Sequence, residues 1–461
     1  MDANAGSTRP PGGGEGAPGD GGDEPPSRRG TIGRGSALLF AAQISGNAGM
    51  FVAVLIIARS LGPSGRGAMA FITVTALVVA RVTKFGISQA TTVFAAQRPA
   101  ERAAILSNLV SYSLLASLAG AAVVCGTLLA LSDARPGDIG STEILILLGG
   151  TVATSLWDES FLLGWQRMRA LALRIAMAGW IYALVLGAAW LLFGLDVPTA
   201  AAAWAVAQGL IGLMFQVAPA RELGIVRPRP ALLREMLRFG SRAWAGSLST
   251  LLNARSDQIL MAFIATQTAL GIYAVAVNAS ELLLYIPSAV AAAMLPAISA
   301  TDSAMAPGRA LRVLRVTMLI GVATMLVAAL LGPPLIPLVF GEPFDPSVEP
   351  FLWLLPGVVG YSAMSVTTSA LLAAGSPGRS SVGPVVSLVV GIALDLILIP
   401  ELDATGAAIA ATAAFAAGGT TGLVLYRHTA GFAWSGLLPR ADDLRDIRSF
   451  AAGLVRRARP G

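Results

Sequence analysis

Seven stretches of this chain run for more than 20 residues without one Asp, Glu, Lys or Arg: Ser36–Ala58, Ala103–Ser132, Ile175–Leu195, Val197–Ala220, Val316–Gly341, Pro350–Gly378 and Ala404–Tyr426. About 20 apolar residues in a helix cross a hydrocarbon layer about 30 Å thick. No water is available there, so each backbone amide must be satisfied within its own segment or in a closed barrel. A barrel needs segments of about 10 residues with alternating polarity, and these runs do not alternate. They are expected to be helices.

Five further stretches, 68–93, 142–165, 240–264, 270–298 and 380–400, have the same length and hold one to three charges each. Together they predict an all-α integral membrane protein of about twelve transmembrane helices. Only 13% of residues are charged, against roughly 25% in a soluble domain, and most of that charge falls between the apolar runs.

The basic residues also predict an orientation. Of 32 Lys and Arg, 26 fall in the tails and in the loops after the even-numbered spans. The opposite loops hold Arg59, Arg66 and Arg135, while Arg81, Lys84 and Arg255 lie within spans. Cytoplasmic loops carry the Lys/Arg excess, so both termini are expected in the cytoplasm and the protein in a plasma or inner membrane. Topology therefore explains the net charge of +6, and no nucleic-acid partner is expected. Cys125 and His428 are the only residues of their kinds. No disulfide, metal site or cofactor is expected.

The chain divides into residues 1–35, 36–222, 223–239, 240–426 and 427–461. The first is a Gly-, Pro- and charge-rich tail expected to be disordered, and no secretory signal. Six spans follow, then a basic linker, then six more spans. The last part is a basic tail in which Asp442–Arg457 reads equally well as an amphipathic helix or as solvated chain. Gly65-Arg66-Gly67-Ala68-Met69-Ala70 opens the second span and Ala269-Leu270-Gly271-Ile272-Tyr273-Ala274 opens the eighth. The match suggests a parallel repeat, which would put a substrate site between the halves. The loops are too short to house a catalytic domain, so no enzymatic activity is expected.

Several segments resemble a known family. They are Arg238-Phe239-Gly240-Ser241, Leu248–Leu260, Ala269–Ala276, Leu283, Tyr285-Ile286-Pro287 and Met294–Ser299, with Ala58–Pro63 and Lys84-Phe85-Gly86-Ile87 in the first half. In order and spacing, over roughly residues 34–427, they are similar to oligosaccharide-lipid (Wzx-type) flippases. These belong to the multidrug, oligosaccharidyl-lipid and polysaccharide (MOP) exporters. The resemblance implies a MOP/MATE-like fold of two six-helix bundles. It also implies a transporter that moves a lipid-linked oligosaccharide from the inner to the outer leaflet by alternating access. Its partners would be that lipid-linked sugar, the bilayer and polysaccharide assembly enzymes. The family carries an acidic residue where Lys84 stands.

Charges inside a span are costly and usually face a cavity or a partner. Arg255, Arg81 and Lys84 would hold a pyrophosphate, and Asn253 and Asn47, with Gln43 and Asn278, would hydrogen-bond sugar hydroxyls. Asp257 or Glu281 would couple a cation gradient. The competing reading pairs Arg255 with Glu281 and Lys84 with Asp158 as packing bridges, and treats Asp158, Glu159 and Asp395 as structural. Two other functions are weighed: a cation-coupled multidrug or metabolite antiporter of the same superfamily, and, more distantly, a membrane polysaccharide polymerase or glycosyltransferase.

Overall fold

The computed structural model of the protein describes residues 28–130, 139–299, 306–438 and 443. Among these residues every regular element is a helix. The first half contains α1 (Arg28–Thr83), α2 (Ile87–Gln97), α3 (Arg102–Ala130), α4 (Ser141–Leu156), α5 (Ser160–Gly164), α6 (Met168–Phe193) and α7 (Val197–Leu223). The second contains α8 (Pro230–Ile264), α9 (Gln267–Ser299), α10 (Ala306–Phe340), α11 (Val348–Ala373) and α12 (Pro377–Ala430).

Among the described residues eight helices are long and apolar enough to cross a membrane. Two of them contain two spans each. The apolar part of α1 is 46 residues and that of α12 is 53, far beyond the roughly 20 that one crossing needs. In α1 the break is at Gly62, which has φ 65°, a value glycine adopts without a Cβ clash. Pro63 follows and cannot donate to the preceding turn. In α12 the break is at Asp403, with φ 46°. Just past it Gly406 lies against the Leu398 carbonyl, so the two arms run back along each other. The doubled α1 and α12, the interrupted α4–α5 pair and α8 bring the eight to twelve crossings, six in each half.

The segment boundaries differ from the expected ones at the first tail, at the linker and at the last tail, where α12 runs on to Ala430. Helix α1 already starts at Arg28, inside the stretch assigned to the tail, because no proline follows Pro26 until Pro63. The basic linker is extended only from Gly224 to Arg229. Pro230, suited to a first helical turn, starts α8 there, so 230–239 is helical. Residues 1–27, Arg135 and the tail around Asp442–Arg457, except Asp443, lie outside the described residues.

Two apolar clusters join the halves. One includes Ile57, Met69, Phe71 and Trp204 of the first half with Met261, Tyr273, Phe340 and Ile399 of the second. The other, at the end where the chain enters and leaves, packs Ile87, Phe94, Ile105 and Phe161 around Leu232 and Met236 of α8.

Candidate functional site

Between those clusters the middle of α8 is left uncovered. Ala243, Gly246, Ser247, Thr250 and Ala254 are exposed at successive helical turns. They form one face, and it is small and polar. Exposed positions on other helices are lipid-like: Leu115 on α3, Leu184 and Leu191 on α6, Leu330 and Leu338 on α10. Helix α8 is also not among the eight helices apolar enough to cross alone. A span that lines a passage rather than lipid needs no apolar face, and that accounts for its composition. The face looks toward the first half, since Gln89 of α2 donates to Ser247 Oγ at 2.7 Å.

The halves meet at both ends of this face. At the termini end α2 runs along α8. Arg98 makes a two-pronged contact with Glu235 at 2.5 and 2.9 Å. Phe94 lies 5.5 Å from Phe239 and Phe85 lies 4.9 Å from Trp244. Gly86 and Gly240 touch backbone to backbone: a Cβ on Gly86 would sit 2.2 Å from the Gly240 carbonyl oxygen. At the opposite end a Cβ on Gly67 would lie 1.8 Å from the Gln267 carbonyl oxygen, and one on Gly271 equally close to that of Pro63. Gly67 and Gly271 are equivalent positions in the two repeat segments, so the repeat meets itself at the seam. Phe71 and Phe263 stack edge to face nearby, at 6.1 Å. Arg59 donates to the carbonyls of Leu338 and Val339, both at 2.8 Å, tying the bend of α1 to the end of α10.

Both pairings considered from the sequence form. Lys84 Nζ lies 2.6 Å from Asp158 Oδ2, and each side chain is 4% exposed. Asp158 occupies the unwound break between α4 and α5, where it also accepts from Ser88 Oγ at 2.6 Å and from the Ser160 amide at 3.0 Å. Lys84 is thus enclosed within the first half. Arg255 Nη1 lies 2.6 Å from Glu281 Oε1, but those side chains remain 23% and 32% exposed, so this pair is open. Arg81 is exposed on the last turn of α1 and has no carboxylate within bonding reach among the described residues. Asn253 is committed in part: its Nδ2 donates to the Pro384 carbonyl at 2.8 Å. Asn47 accepts from Gln43 at 2.9 Å on the first arm of α1.

Asp257 accepts from Tyr273 Oη at 2.5 Å and from the Gln258 amide at 2.7 Å. Arg255 and Asp257, two residues apart on α8, therefore reach α9 two turns apart, at Glu281 and Tyr273. Asp395 belongs to the same neighbourhood, coupling electrostatically with Asp257 and Tyr273. It is 2% exposed, and its Oδ1 has no hydrogen-bond partner among the described residues. The sequence reading treats it as structural; the fold adds its place beside Asp257. The available signal was spacing: Gly383, Ser387, Gly391, Asp395 and Ile399 recur every four residues, and all are buried.

Arg66 is a correction. Counted with a loop, it sits inside the second arm of α1, is 8% exposed and has Arg255 and Tyr182 as electrostatic neighbours. Its Nε finds no acceptor among the described residues. Pro63 at the start of that arm placed it in a helix. Among the described residues no group of three or more His, Cys, Asp or Glu is arranged to hold a metal.

A polar-lined seam between two six-helix halves, closed by glycine contacts at both ends, is the central feature of this all-α membrane fold. Residues 32–302 match the model of the polysaccharide biosynthesis protein family, and the chain belongs to that family. Solved structures share the fold. The lipid II flippase MurJ in an inward closed conformation aligns with a TM-score of 0.70, 15% identity, 87% of this chain and 88% of that one. A multidrug-resistance MATE transporter of the MOP superfamily aligns in its inward-facing form with a TM-score of 0.65, 15% identity and coverages of 84% and 94%. An outward-facing MATE structure aligns with a TM-score of 0.54, 16% identity and coverages of 87% and 95%. No protein of the curated collection matches the sequence.

Proposed function

We propose that this protein carries a lipid-linked oligosaccharide, a precursor of a polysaccharide, from the inner to the outer leaflet of the cell membrane by alternating access. It performs no covalent chemistry. The observation that carries this reading is the small, polar face of α8 at the seam, with the half-open Arg255–Glu281 pair beside it. Family membership and the flippase among the structural neighbours support it.

The lipid tail stays in the bilayer while the head group enters the seam. A pyrophosphate cannot cross hydrocarbon unaided, and Arg255 and Arg81 offset its charge, arginine by two-pronged contact with phosphate oxygens. Sugar hydroxyls meet Ser247, Thr250, Asn253 and Asn47. Lys84 acts as a brace, because Asp158 already claims its ammonium. Cation coupling falls to Asp257, with Asp395 beside it and Glu281 next along α9. The arginine distribution supports cytoplasmic termini, which makes the α2–α8 contact the cytoplasmic gate. Polysaccharide assembly enzymes supply and consume the cargo.

The MATE-like fold also suits a cation-coupled drug antiporter, and the Asp257–Asp395 pair favours that second reading. Two assays separate them. Cells with Arg255→Ala in place of the wild-type chain should accumulate lipid-linked sugar on the inner leaflet, with drug sensitivity unchanged. Normal export together with heightened drug sensitivity would reverse the choice.

A further inference from the structure

Away from the seam, on the outer wall of the first half, a groove of about 390 Å³ runs between α6 and α7. Leu173, Met177, Leu213 and Val217 line its length, all of them exposed. Two arginines stand at one end of it, Arg174 and Arg221. In most surface positions such arginines pair with carboxylates, as Arg167 does with Glu222 close by. Neither Arg174 nor Arg221 has a carboxylate within 4 Å among the described residues. Arg174 Nε donates to the Met214 carbonyl at 2.8 Å, which fixes the guanidinium; its Nη1 is buried without an acceptor, and its Nη2 has no partner among the described residues. A fixed guanidinium with an unmet N–H asks for an anion.

Depth identifies the anion. Arg174 lies six residues into α6, about 9 Å along the axis, and Arg221 lies about 3 Å from the end of α7 at the same side. Both arginines thus lie toward the helix ends, where the head-group region borders the hydrocarbon, and Met177 and Leu213 lie further in. From this geometry we infer that the α6–α7 groove is a binding site for an anionic phospholipid of the arginine-rich leaflet. Its phosphate bridges Arg174 and Arg221, and one acyl chain lies along Leu173, Met177, Leu213 and Val217. Basic pockets between spanning helices hold such head groups elsewhere. The site is separate from the seam and would anchor the first half while the second moves.

The test is native mass spectrometry of the full-length protein, delipidated in detergent and then offered phosphatidylglycerol or phosphatidylcholine. The wild type should retain phosphatidylglycerol over phosphatidylcholine by on the order of tenfold, the effect of two charge-assisted contacts. R174A/R221A should lose that preference, and R174K/R221K should keep much of it. A218W fills the groove from an exposed position while keeping both arginines in the chain and should also lower lipid retention. Equal retention of the two lipids by the wild type, or full retention by both R174A/R221A and A218W, would overturn the site. So would displacement of the bound lipid by millimolar inorganic phosphate, which would mark a free-anion site instead.

Discussion

Replacing Lys84 with methionine deletes one half of an ion pair that water hardly reaches. With Nζ–Oδ2 at 2.6 Å and both side chains 4% exposed, the orphaned Asp158 carboxylate stays buried. Breaking a buried pair from one side typically costs 3–5 kcal/mol. Asp158 keeps the Ser88 hydroxyl and the Ser160 amide, so we expect the lower end, about 3 kcal/mol. Removing both charges at once leaves no orphan, and a K84M/D158L double variant should recover most of the loss. Detergent-micelle unfolding titrated with SDS and followed by fluorescence of the eight tryptophans gives all four corners of the cycle. Additive losses, or a K84M protein of wild-type stability that no longer transports, would refute the brace and return Lys84 to the substrate.

Three further outcomes follow from the same geometry. Gly271→Val puts a side chain 1.8 Å from the Pro63 carbonyl, so α1 and α9 must part by roughly 1 Å or more. Spin labels on the two halves should then report a wider opening at that end, and an unchanged distance distribution would contradict the glycine seam. At the α2–α8 contact the hydrogen bond from Arg98 holds the Glu235 carboxyl below its usual range, while Glu235 raises the arginine. A depressed carboxyl stabilises closure above its ordinary value of about 4.3 and loses that contribution as pH falls through the lowered one. The distance between spin labels on α2 and α8 should thus be flat from pH 5 to about 8, widen below about 4, and already be wider at neutral pH with Glu235→Gln. Asp257→Asn and Asp395→Asn should each abolish the response of transport to collapsing proton and sodium gradients, measured in proteoliposomes; an intact response in both would remove the cation from this pair.

Much of the architecture was legible because the bilayer imposes a length. Uncharged runs such as Val197–Ala220 leave no choice but a helix, and α7 occupies 197–223. The repeat was legible for a different reason: Gly67 and Gly271 stand at equivalent positions because neither tolerates a Cβ at the seam. Ends were harder. The start of α1 at Arg28 depends on a helix extending past its apolar core until proline stops it. Partner choice was harder still. Lys84 and Arg255 look alike in sequence, each a cation within a span. Only folding reveals that Asp158, in a break of its own helix, encloses the first while the second stays half open. Arg66 was misplaced in a loop because the break at Gly62 starts the second arm of α1 before it, and that arm buries it.

Gating by the seam can be tested with two cysteines. The native Cys125 is buried, so Gln89→Cys with Ser247→Cys, which replaces a 2.7 Å hydrogen bond across the α2–α8 contact, can be bridged by a short reducible cross-linker. In proteoliposomes loaded with lipid-linked oligosaccharide, we expect bridging to stop head groups from reaching the far leaflet and reduction to restore the flow. Translocation at the uncross-linked rate with the bridge in place would contradict passage between the two halves.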